Sequence, residues 1–116
     1  MPLEGSALAT LNGLLDGHTP LDEDEADDLA RIRAFVGASE APFDRRTMPG
    51  HLTGSAFVVD DALRLLMVHH RRLGAWLQLG GHAEGEVDAA AVALREAVEE
   101  SGLTALRFHP ACRGAD

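Results

Sequence analysis

Cysteine is almost missing from this chain. Cys112 stands alone, so no internal disulfide can form. A lone thiol fits a reducing compartment, and no base is visibly paired with it to make a nucleophile. Long apolar runs are also lacking: no stretch reaches the roughly 18–20 residues of a membrane span. Met1-Pro2-Leu3-Glu4 offers no basic segment leading into an apolar core, so no secretory signal is expected and the cytoplasm is the expected location. Basic residues are scarce, 10 Lys and Arg against 19 Asp and Glu, for a net charge of −9. That balance argues against a general nucleic-acid partner, which would require a basic face. No Cys/His spacing suits zinc, and there are no internal repeats.

What is present is ordinary for one globular domain: 116 residues, 46% apolar and 25% charged. Residues 1–45 read as an N-terminal helical segment, and 46–116 as a second unit of different pattern. A first helix is expected over 4–16, with Leu8, Leu11, Leu14 and Leu15 on its apolar side and an end near Gly17. Thr19-Pro20 reads as the cap and first position of a second helix running to about Val36. Its apolar stripe is Leu21, Leu29, Ile32, Phe35 and Val36. The acids from Asp22 to Asp28 read as a solvated helix start, favourable to the helix dipole. Residues 37–50, with Pro42 and Pro49, read as a linker or irregular loop. Beyond it, 52–59 and 63–68 read as a hairpin turning at Asp60-Asp61. Further strands are expected near 75–79 and 104–109.

The chemistry concentrates between these last two strands. Glu96, Glu99 and Glu100 share one face of an expected helix, where spacings of three and four bring side chains about 5–6 Å apart. Like charges so close weaken a helix, so something positive belongs among them. Mg²⁺ or Mn²⁺ suits an all-oxygen set; the bland reading is an exposed acidic face. Upstream, Gly80-Gly81 releases the backbone into a loop whose carbonyls can approach a ligand or a cation. Asp88 is placed to cap the helix, the alanine-rich interior favours it, and Gly102 can stop it.

This loop and helix resemble the box of the Nudix hydrolases, G-x5-E-x7-R-E-U-x-E-E-x-G-U with U apolar. Gly81, Arg95, Glu96, Ala97, Glu99, Glu100, Gly102 and Leu103 match in register. Val87 departs, standing where the pattern has its first Glu, while Glu86 comes one residue early. The resemblance covers about 50–115. It implies an α/β/α sandwich with a mixed sheet, and Mg²⁺-dependent hydrolysis of a nucleoside diphosphate linked to another moiety. It also implies strands and a helix beyond the box, so a polypeptide truncated at Asp116, with reduced activity, is the expectation; a homodimer whose second copy covers the gap is the alternative.

On this resemblance Gly80, Glu96, Glu99 and Glu100 are the metal set, and Glu99 and Glu100 the catalytic pair. The ligand and base roles of Glu99 stay open, because carboxylates around one cation titrate together. Arg95, Gly81, Glu84 and Glu86 are structural support, Glu84 or Glu86 standing in for the missing first Glu. Arg71, in the basic run His69-His70-Arg71-Arg72, and His82 are substrate-contact candidates. Trp76, Phe57 and Phe108 read as core, Phe43 as a weak stacking candidate, and His18, His51 and His109 as ordinary. A small nucleotide-diphosphate is the expected partner, with no nucleic acid and no membrane. Two other readings compete: a nucleotide-sensing module without turnover, suggested by Val87 and the short C-terminus, and a scaffold in which 1–45 is a dimerisation arm.

Overall fold

The computed structural model describes residues 5–111; Cys112, the extreme N-terminal residues and their expected roles lie outside that range. Three helices and six short strands follow in the order α1 (Gly5–Asp16), α2 (Glu23–Ala38), β1 (Thr53–Ala56), β2 (Val58–Val59), β3 (Leu65–Leu66), β4 (Val68–His70), β5 (Ala75–Leu77), β6 (Leu79–His82) and α3 (Ala89–Ser101). The class is mixed α/β. The strands pair as three antiparallel ladders, β1 with β6, β2 with β3 and β4 with β5. A parallel pair needs a long crossover between its strands, and no parallel pair occurs among the described residues, where a mixed sheet was expected.

α2 starts later than its sequence suggests. The Asp22 carboxylate, not Thr19, caps it by accepting from the Glu25 N–H at 2.8 Å. Glu23, Asp24 and Glu25 fill the first turn, where negative charge faces the positive end of the helix dipole. Leu21 is therefore left outside the helix and exposed. The expected hairpin is also divided. Residues 53–56 turn away to pair with β6, and only Val58–Val59 meets Leu65–Leu66. Its turn closes on Asp60, whose Oδ1 accepts from the N–H groups of Ala62 and Arg64 at 2.9 Å each. The strand expected near 104–109 does not form; those residues have no ladder partner and no regular structure.

One buried cluster unites both parts of the chain: Leu11 of α1, Val36 of α2, Phe43, Ala83 and Val92 of α3. The segment after α2 is thus the irregular loop expected of it, anchored to the core rather than free. Phe43 is only 4% exposed, and the Thr47 hydroxyl and Leu52 N–H donate to the Ala41 and Pro42 carbonyls, each at 2.6 Å. So buried a ring cannot stack on a base. Conversely Trp76 and Phe57, expected in the core, are 66% and 73% exposed. The described elements leave their side of β2–β5 uncovered.

α3 packs on β1 and β6 through a close approach at Gly54. A Cβ there would stand 2.7 Å from the Val92 Cβ and from the Ala93 N. Contacts that short do not occur, so any side chain would push the helix off the sheet. We expect Gly54→Ala to lower the unfolding free energy by about 1–3 kcal/mol through overpacking, measured by urea titration; unchanged stability would mean that the helix sits further from β1 than described.

Candidate functional site

The site is built where α3 crosses β6 and the loop that joins them. Asp88 caps α3 by accepting from the Ala90 N–H at 3.0 Å, and Gly102 closes it in a left-handed conformation, φ 73°, donating its N–H to Val98 O at 2.9 Å. With both ends fixed, Glu96 faces Gly81 and Glu100 faces Gly80. A Cβ on Gly81 would lie 2.6 Å from the Glu96 carboxyl carbon, so only glycine leaves room for that side chain. Gly80 donates its N–H to Glu100 Oε1 at 2.9 Å.

Arg95 is the centre of the arrangement. Its Nε donates to Glu86 Oε2, its Nη1 to Glu96 Oε1 at 3.1 Å and to Glu99 Oε2 at 3.2 Å, and its Nη2 to the His82 carbonyl at 2.7 Å. Glu84 lies 3.6 Å from the same guanidinium. The planar fork suits this task, presenting fixed N–H donors that a lysine could not match. The positive charge expected among the glutamates is thus supplied in part by the chain itself. Glu96 is well covered, its side chain 14% exposed, whereas Glu99 stands 53% exposed.

Glu86, the residue before Val87, turns inward to Arg95. Gly85 takes φ 102°, a backbone state disfavoured for residues with a Cβ, and the loop then turns Glu86 onto Arg95 while Val87 stays half-exposed. The Glu84 N–H adds a bond to Glu86 Oε1 at 2.6 Å. First the Arg95 guanidinium, then this N–H, hold the Glu86 carboxyl down to about 2, and Arg95 in turn is raised above its ordinary value, chiefly by Glu86.

Of the residues singled out in the sequence, Gly80, Gly81, His82, Glu84, Glu86, Arg95, Glu96, Glu99 and Glu100 come together. Arg71 does not: it lies in the exposed β4–β5 turn, touching neither the carboxylates nor the adjoining groove. That groove, about 680 Å³, runs from Gly80, Gly81 and His82 across Ser55 and Gln78 to Trp76 and Phe57. His51 looks ordinary in the sequence, yet the β1–β6 register, Thr53 opposite His82, brings its ring to 2.8 Å from that of His82. No local pattern carries that signal, because the pairing spans the whole strand region. No protein-family model matches the chain, and no curated protein matches it.

Because Glu86 titrates far lower folded than its ordinary 4.5, its contribution to stability is complete above about pH 4.5. It is lost as pH falls through about 2. Glu86→Gln removes that contribution at every pH. The variant is therefore expected to be less stable than wild type at pH 7, the gap narrowing between pH 4.5 and 2; a gap independent of pH in that window would rule out the Arg95–Glu86 pairing.

Proposed function

We propose that this chain is a Nudix-like, Mg²⁺-dependent hydrolase of the cytoplasm that cleaves a diphosphate linking a nucleoside to another moiety. The observation that carries the reading is an excess of charge. Glu84, Glu86, Glu96 and Glu99 surround the single guanidinium of Arg95, and Glu100 adds a carboxylate beside Gly80. One cation cannot neutralise this group. The surplus is entirely oxygen, the donor chemistry of Mg²⁺ or Mn²⁺. Among the described residues no three acids already stand together as a cation site; Glu96, Glu99 and Glu100, with the Gly80 carbonyl, would have to draw together to hold such an ion. Bound there, it would supply an acidified water and neutralise charge on phosphoryl oxygens.

The chain's own groups have separable tasks in this reading. Arg95 and Glu86 fix the loop against α3, and the Gly80 N–H orients Glu100. Glu99, more exposed than Glu96 and held by one long bond to Arg95, is placed for either of two roles, a third ligand or the base that takes a proton from water. The groove beyond Gly80 gives a nucleotide an apolar floor beside the charged end, the usual balance of a small-molecule site.

A second reading has its own support. Arg95 already satisfies Glu96 and Glu99 in part, which is compatible with a module that binds a nucleotide without cleaving it. Turnover separates the two. With Mg²⁺ and nucleoside triphosphates, ADP-ribose or dinucleoside polyphosphates, wild type is expected to hydrolyse at least one of them. Glu100→Gln is expected to lower that rate on the order of 100-fold. Equal Mg²⁺-stimulated rates in both would remove Glu100 from the mechanism; nucleotide affinity by calorimetry without any turnover would favour the binding module.

A further inference from the structure

The geometry points to His51 as a positioning residue that sets the tautomer of His82, so that His82 presents its Nε2–H to a phosphoryl oxygen in the groove. This deepens the hydrolase reading and rests on it. The two rings face each other with centroids 4.9 Å apart, tilted by 41°, and His51 Nε2 lies 2.8 Å from His82 Nδ1. A neutral pair at that distance shares one proton: one ring donates and the other accepts. When His51 donates, His82 Nδ1 is occupied as an acceptor and its proton must reside on Nε2, since the bond made by one ring nitrogen decides the state of the other.

The rest of His82 is equally fixed. It ends β6 opposite Thr53, and its carbonyl accepts from Arg95 Nη2 at 2.7 Å. Ring, strand and carbonyl are held by three separate partners, although the residue is exposed. An exposed side chain so constrained is prepared for contact rather than for packing. His82 also lies on the boundary between the carboxylates and the groove, whose lining contains no Arg or Lys. Beyond the proposed Mg²⁺, an anionic group entering the groove therefore meets neutral donors alone, and a fixed imidazole N–H is well suited. Phosphoryl oxygen is the ligand chemistry that this donor would accept directly and that the carboxylate site would accept through the Mg²⁺ it is proposed to hold.

Nitrogen-15 NMR at pH 8 on the full chain with Mg²⁺ tests this, using inorganic pyrophosphate as the probe. His82 Nε2 is expected to be of the protonated type and Nδ1 bare, with pyrophosphate shifting Nε2. His51→Phe keeps a ring but no donor. It is expected to leave His82 as a tautomer mixture and to weaken pyrophosphate about tenfold, the scale of one hydrogen bond to a charged group. His51→Gln keeps an N–H donor and is expected to restore most of the affinity. His82→Phe should cost about the same, and the double variant no more, because one interaction is lost only once. A protonated His82 Nδ1, unchanged affinity in His51→Phe, or no pyrophosphate shift at His82 would each overturn the inference. Absent nucleotide turnover with the shift and its loss intact would instead count against the hydrolase reading alone.

Discussion

Arg95 is the constraint on which the rest of the site depends. Carboxylates on neighbouring turns of a helix repel one another, and here two more arrive from the loop. The guanidinium binds both sets at once, through Nε to Glu86 and through Nη1 to Glu96 and Glu99, and it fastens the His82 carbonyl besides. Helix, loop and strand end therefore share one ionic centre. Without it the acids would disperse into solvent, and the loop would lose what ties it to α3.

Elements whose signals are local were legible in the sequence. α3 could be read from Asp88 to Gly102 because a cap, a run of helix formers and a left-handed stop act within a few residues. The glutamate face followed from helical spacing, and Gly80 and Gly81 do stand against it. The start of α2 was misplaced because two capping residues compete and the Asp22 carboxylate reaches the free N–H of Glu25. Burial was harder. Trp76, Phe57 and Phe43 are all apolar aromatics, and hydrophobicity says nothing about which faces other elements cover. Phe43 found Leu11, Val36 and Val92, whereas Trp76 and Phe57 did not find a covering layer. The His51–His82 contact was beyond reach for a different reason: it needs the long-range β1–β6 pairing.

Glu86 and Val87 illustrate how a loop backbone chooses which of two neighbouring side chains faces inward. On a regular strand or helix that choice is fixed, since neighbouring side chains diverge in both. In a loop with Gly85 at φ 102° it is open, and Glu86 reaches the same guanidinium that gathers the helix glutamates. The valine is left half in solvent.

Gly54 has a further consequence. Its missing side chain leaves a slot on β1 that Val92, fully buried, occupies from α3. Sliding the helix by one residue would turn it about 100° around its axis. The slot would then face a different side chain, and Glu96 and Glu100 would swing away from Gly81 and Gly80. Val92 thus acts as an index pin: an uncharged methyl pair, one turn before Glu96, sets the angle at which the acids meet the strand.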